Sequence, residues 1–285
     1  MSKALFIFFV LGGIVTTLVA SNFTVVPYIA LSQYKDKYKD DALLGGIYAK
    51  LTAQKRSYEF AYENTTINSK NNRFLNDIKK SDYTFLYSHF LNNNYKLKGG
   101  IHLVLSNNIT GDDVQSYFTG IEYFQKKRFS LGFDLYYSFY AQSTLGKEVL
   151  QFKPYYGFSF GDYRSAMGTF FTKLSYYHIY FMQKNKATLS RSYLSYEIEV
   201  NHHKNNFFTK FKAWTGKQVY AVRDNGFTLY NLYEKHKGGW SLSSKYAFND
   251  HLGIRASYIN EVYSNIGTSS LSYTDTYLLS GEYSF

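Results

Sequence analysis

The chain has no cysteine and only two prolines among its 285 residues. Without cysteine there is no disulfide scaffold and no thiolate chemistry, nucleophilic or metal-binding. Long apolar runs are also missing. Beyond residue 20 none approaches the roughly 18 to 20 residues that a membrane-spanning helix needs. No glycine-rich loop sits between a strand and a helix to cradle phosphate. The adjacent imidazoles of His202 and His203 would point to opposite faces of a strand, with no carboxylate or cysteine cluster beside them. The sequence therefore calls for no cofactor and no metal.

Aromatic residues are abundant instead: 31 Tyr and 25 Phe, far above ordinary use. Rings with one apolar body and one polar tip suit a lipid-facing band with interfacial girdles. A mean hydropathy of −0.33 does not oppose this, because only alternate residues of a membrane strand meet lipid. At the start of the chain, Lys3 precedes an apolar run from Ala4 to Val15, and Val19-Ala20-Ser21 offers small residues for cleavage. This pattern predicts a signal peptide over residues 1–20 and a single domain over 21–285.

Strand-like stretches then recur. An imperfect first one, Phe23 to Ser32, contains Pro27, which suggests an irregular edge. Ala42 to Ala53, Ser57 to Thr66, Asp82 to Leu91, Tyr95 to Leu105, Val114 to Phe124, Phe129 to Tyr140 and Val149 to Phe160 follow. Gly168 to Phe181, Arg191 to Asn201, Phe207 to Gly216, Trp240 to Phe248, Leu252 to Val262 and Ser272 to Phe285 complete fourteen. Most are near the 9 to 11 residues that cross a bilayer core. The connections alternate between short turns, such as Asn92-Asn93-Asn94, and longer polar ones, such as Ile67 to Ser81 and Lys217 to Gly239. This is the rhythm of an up-and-down antiparallel transmembrane β-barrel. Both ends on one side require an even strand number. Fourteen is the expected count, with twelve the alternative if the region before Ala53 stands apart; sixteen would need strands inside Lys217 to Gly239. A soluble β-sandwich is the competing architecture.

The last strand is the clearest. Tyr277, Leu279, Tyr283 and the terminal Phe285 share one face, opposite Thr276, Leu278, Ser280, Glu282 and Ser284. This aromatic-terminated strand resembles that of Gram-negative outer-membrane β-barrel proteins of porin-like size. The resemblance implies a cell outer-membrane location and lipid and lipopolysaccharide neighbours. It also implies recognition by the barrel-assembly machinery through Tyr277, Leu279, Tyr283 and Phe285.

The same alternation assigns an inner face. The lumen-lining candidates are Glu59, Glu63, Lys96, Lys98, Asp134, Tyr136, Lys153, Glu197, Glu199, Lys210, Lys212, Lys245 and Arg255, since a cation facing mid-bilayer lipid costs about 2 to 4 kcal/mol. Folding across the His202 to Asn206 turn should set Glu197 and Glu199 against Lys210 and Lys212 in a salt-bridge ladder. The formal charge is +11, and most of the excess falls in connections. Lys70, Arg73, Lys79, Lys80, Lys184, Lys186, Lys217, Arg223, Lys235 and Lys237 are expected at an outer basic rim.

Enzyme motifs of outer-membrane barrels are not met. His89 lacks the Ser and Asn context of the phospholipase, and Asp250-His251 lies in a turn at the wrong end for an omptin-type protease. The expected function is a monomeric porin-like channel, not an enzyme, for passive diffusion of small polar solutes, anionic ones among them, with no nucleic-acid partner. The alternatives are a closed structural or adhesin-like barrel and, behind it, a lipid-modifying enzyme.

Overall fold

The computed structural model describes residues 21–285 except 71–76, 108–112, 126–127, 142, 144–145, 163 and 184–188. The expected signal peptide lies outside the described residues, as do Arg73, Lys184 and Lys186 of the expected rim. The long strands are β1 (Ser21–Lys35), β2 (Lys39–Ala53), β3 (Arg56–Ser69), β4 (Ile78–Phe90), β5 (Tyr95–Ser106), β6 (Val114–Gln125) and β7 (Phe129–Tyr140). They continue with β8 (Glu148–Asp162), β9 (Gly168–Phe181), β10 (Ser192–Lys204), β11 (Phe207–Gln218), β14 (Glu234–Ala247), β15 (Leu252–Asn265) and β16 (Ser272–Ser284). Two dipeptide strands, β12 (Val222–Arg223) and β13 (Thr228–Leu229), lie between β11 and β14.

The fourteen long strands pair antiparallel, each with its sequence neighbour, and β1 meets β16 to close the barrel. Closure removes the free strand edges that an open sheet would leave. Along each strand the side chains alternate between two environments. Ile29, Leu31, Leu43, Ile47, Leu131, Phe133, Leu194, Tyr196, Leu252 and Ile254 are exposed on the outside, while Asp134, Tyr136, Ser195 and Glu197 are buried within. The four residues of the aromatic-terminated strand, Tyr277, Leu279, Tyr283 and Phe285, all lie on the exposed face. The ring of Phe285 stacks on Phe23 of the first strand at 5.7 Å.

Tight turns gather at the end of the barrel that holds Ser21 and Phe285. Asn205-Asn206 joins β10 to β11 in two residues, with Asn205 at φ +51°, a conformation that Asn tolerates better than most side chains. Pro27 lies mid-strand. The β1–β16 ladder carries no pair at Val26 or Pro27 but keeps its register on either side, since proline has no N–H to donate.

Three boundaries differ from the sequence reading. The charged stretch Gln33 to Asp41 is mostly strand, with only Asp36 to Tyr38 in the turn. Asp36 makes that turn possible, accepting hydrogen bonds from the Tyr38 amide at 2.5 Å, the Tyr263 hydroxyl at 2.9 Å and the Asn265 amide at 3.1 Å. Burial pushes the Asp36 carboxyl up, but these donors and the nearby Lys39 ammonium hold it below the ordinary range. Lys80 belongs to β4 and pairs with Asp82 at 3.2 Å instead of standing at the rim. Finally, β14 starts at Glu234, not Trp240, because a bulge between His236 and Gly238 and the doublet Gly238-Gly239 break the alternation that marks a strand.

Candidate functional site

The inner wall is built from side chains that lie along it. Gly120 pairs across the sheet with both Lys98 and Asp134. A Cβ there would come within 2.3 Å of the Asp134 carboxylate and 2.7 Å of the Lys98 Cε. The missing side chain lets the ammonium reach over its neighbour to both carboxylate oxygens, at 2.8 and 2.9 Å. Tyr28 similarly lies across Gly46, whose Cβ would strike its ring at 2.5 Å, and donates its hydroxyl to Glu63 at 2.6 Å.

The other candidates take the following places. Glu59 accepts the Tyr48 hydroxyl at 2.7 Å. Half-buried Lys96 stands 5.7 Å from the Phe90 ring centroid, and buried Lys153 stands 5.1 Å from that of Tyr177. Tyr136 donates to Asp134 at 3.3 Å. Lys245 reaches Glu282 at 2.5 Å. Arg255 packs over Phe208 at 5.8 Å.

The expected ladder across the β10–β11 turn is half right. Glu199 is the direct cross-strand partner of Lys212, and its carboxylate lies 3.6, 3.7 and 3.8 Å from Lys173, Lys210 and Lys212. Glu197 instead faces Trp214 and takes its cation from Arg223, at 2.5 Å. Trp214 offers no charge, so a buried carboxylate at that level must find one from elsewhere.

Arg223 marks the main departure from the sequence reading. Expected at the rim, it is only 5 % exposed, because residues 219–233 fold into the barrel as a plug. Its cation is stacked 4.9 Å from Trp214 and donates to the Tyr230 hydroxyl at 2.6 Å. Outside water would have to be surrendered to bury it, and Glu197 together with Glu261, at 3.5 Å, compensates that cost.

The plug is held through its backbone as well. The side-chain amide of Gln151 donates to the Val222 carbonyl at 2.6 Å and accepts from the Val222 N–H at 2.9 Å, serving the two backbone groups of Val222 while β12 pairs with β13. Tyr220 stacks on Tyr140 at 4.0 Å, and the Tyr140 hydroxyl donates to the Tyr220 carbonyl at 3.1 Å. At the tip, Asp224 pairs with Lys212, Asn225 accepts from Lys98 at 2.9 Å, and the Gly226 carbonyl lies 2.8 Å from Nδ1 of His102. The same ring nitrogen lies 2.7 Å from the Thr84 hydroxyl and Nε2 lies 3.3 Å from the Asp82 carboxylate, so the imidazole ties the tip to β4. The tip turns through Asn225 and Gly226, at φ +58° and +94°. A Cβ on Gly226 would come within 2.3 Å of the Phe118 ring, so both the turn and the close approach select glycine. Burial pushes the Asp224 carboxyl up, but the Lys212 ammonium and Arg223 guanidinium hold it well below the usual carboxylate range.

The plug is off-centre. It packs on the wall from β4 to β10, where Leu86, Val104, Val114, Phe118, Tyr136, Tyr140, Val149, Ile179 and Phe181 form one buried cluster with Val219 to Val222 and Leu229. The opposite wall, from β14 to β1, carries a band of short groups between Glu261 on one side and Lys245 and Arg255 on the other. Ser32, Ser241, Ser243, Ser257 and Thr276 face inward and stay part-exposed, with Ser257 bonded to Ser243 at 2.9 Å and Ser32 to Thr276 at 2.7 Å. A cavity of about 150 Å³ lies between the plug and this wall, bordered by Lys212, Arg223, Asp224, Tyr230, Glu261 and Thr276.

Alternation along strands could identify wall residues but not Arg223, Asp224, Asn225 or Gln151 as plug contacts. The signal present was a weak alternation from Phe227 to Tyr233 and the turn-forming Asp224-Asn225-Gly226. The first allowed extra barrel strands; β12 and β13 pair only with each other.

No protein-family model and no curated protein matches the chain. Solved structures do. The CymD monoaromatic hydrocarbon channel aligns at TM-score 0.58 and 9 % identity, over 93 % of this chain and 88 % of that one. A bacterial polysaccharide outer-membrane secretin aligns at 0.56 and 10 %, over 93 % and 98 %. The Ralstonia pickettii toluene transporter TbuX aligns at 0.56 and 8 %, over 94 % and 91 %. At such identities the likeness lies in the backbone, and the chain has the fold of the outer-membrane β-barrel proteins.

Proposed function

We propose that the protein is an outer-membrane channel for small polar solutes, held shut in this conformation by the 219–233 plug. The observation that carries this reading is the chemistry of the plug's attachment. A permanent filling would be most stable if apolar throughout, since buried ion pairs seldom add net stability over well-packed apolar groups. Here the tip is secured by polar and ionic contacts, Arg223 to Glu197, Lys212 to Asp224 and Lys98 to Asn225, which water can replace one by one. The hydroxyl-bearing wall from β14 to β1 is the natural path once the tip withdraws. Its Ser and Thr side chains suit hydrated solutes better than hydrocarbons, even though two of the similar folds are named for aromatic hydrocarbons.

Conductance of the folded chain in planar bilayers tests this. Discrete current steps are expected, rare in the wild type and frequent when residues 221–231 are replaced by a short glycine–serine linker. The rival reading, a closed structural barrel, is favoured by the extent of the buried cluster under the plug. A linker variant that folds and never conducts would establish that rival and remove the channel.

A further inference from the structure

Below the plug tip, three inward cations stand on neighbouring strands. Lys245 and Arg255 are direct cross-strand partners, a placement in which like charges repel. Lys210 of β11 pairs with Ser243, two residues from Lys245 on the same inner face. Ser243 and Ser257, themselves partners, complete a patch whose outermost groups are all donors. The carboxylates nearby are oversubscribed. Lys173, Lys210, Lys212, Lys245 and Arg255 lie around Glu199, Glu282 and Asp224, while Glu59, the next carboxylate, is hydrogen-bonded to Tyr48 at 2.7 Å. Glu282 is engaged by Lys245 and Asp224 by Lys212, while Glu199 is shared among three lysines at no less than 3.6 Å. Among the described residues no carboxylate comes within salt-bridge distance of Arg255, whose one recorded partner is the Phe208 ring.

Folding has set two cations side by side here and left a guanidinium without an anion, on a part-exposed face of the lumen. A structural role would place a carboxylate opposite, as it does for Lys98 with Asp134. We infer that Arg255, Lys245 and Lys210, with the Ser243 and Ser257 hydroxyls, form a binding site for an oxyanion, the phosphate or carboxylate group of a small solute. The planar fork of Arg255 takes two oxygens at once, the lysines supply charge, and the hydroxyls complete the shell. Its level, three residues from the short-turn ends of β11 and β15, puts it between the plug and the short-turn end of the barrel, the end that faces the periplasm in outer-membrane barrels and that we take to do so here. It is therefore loaded from that compartment while the outer side is shut. The inference rests on the proposed orientation and solute pathway but not on conduction itself.

The test is binding of inorganic phosphate and of citrate to the full folded chain in detergent at low ionic strength, by titration calorimetry, with chloride as the reference anion. Saturable binding of phosphate or citrate above the chloride background is expected. It should weaken at least tenfold in Arg255→Gln, recover in part in Arg255→Lys, and stay unchanged in Lys55→Gln at an exposed turn. Lys210→Gln gives the same reading if Arg255→Gln fails to fold. A wild type that binds neither anion better than chloride, or an Arg255→Gln protein that binds as the wild type does, overturns the site. Phosphate binding without current in any plug variant would remove the channel reading and leave the site. Current without phosphate or citrate binding would do the reverse.

Discussion

Arg223 donates to Glu197 at 2.5 Å, joining a plug residue to the barrel wall where both side chains are almost fully buried. Each satisfies a charge that the other's loss would leave stranded. Arg223→Ala should therefore cost more than its contacts suggest, about 3 to 5 kcal/mol for breaking a buried pair. The double variant Arg223→Ala with Glu197→Gln should recover part of that cost. Chymotryptic cleavage between Tyr220 and Tyr230, read by mass spectrometry, is expected to be slow in the wild type, fast in Arg223→Ala and intermediate in the double variant. Equal rates in all three would show that the pair does not hold the plug.

Gln151 carries both hydrogen bonds to the backbone of Val222. Gln151→Leu keeps the volume roughly but leaves a buried N–H and C=O unpaired, at about 1 to 3 kcal/mol for each group. Higher open probability in bilayers is the expected outcome, with the barrel's own resistance to heat and detergent unchanged because no strand pairing is touched. A fall in barrel stability with no change in gating would refute it.

Gly226 meets Phe118 with no room for a methyl group. Gly226→Ala should displace the tip, both by the clash and by the strain of an L residue at φ +94°. Phe118→Leu in the same chain should relieve the clash alone. Partial return to wild-type conductance in the double variant separates the two contributions; no return would assign the whole effect to the backbone.

Acid should loosen the tip, in a defined window. The Asp224 carboxyl is held well below its usual range by Lys212 and Arg223. A depressed folded-state value means that its contribution is complete above the unfolded value of about 3.9 and is lost as pH falls from there through the lower folded value. Open probability should then be flat from pH 8 to about pH 5 and rise only below about pH 4. In Asp224→Asn it should be high and flat across the range. A wild-type transition near pH 6 would point to histidine instead.

Strand number and the inner or outer face of each strand could be read from residues alone, because alternation is a local property that follows from backbone geometry. Asp134 lies between Phe133 and Leu135, and no register change could place all three favourably except with the carboxylate inward. The plug could not be read in this way. Its core residues, Val219 to Val222, are no more apolar than those of a wall strand, and Arg223 looks like any loop cation until Glu197 is found beside it. Glu197 needed a cation that its strand neighbour Trp214 does not provide, yet nothing in the linear order says that the one 26 residues later turns back into the barrel. Local alternation thus made the wall legible. Only the closed tertiary structure, by bringing an unmet buried charge and a folded-in loop into one low-dielectric space, decided what fills it.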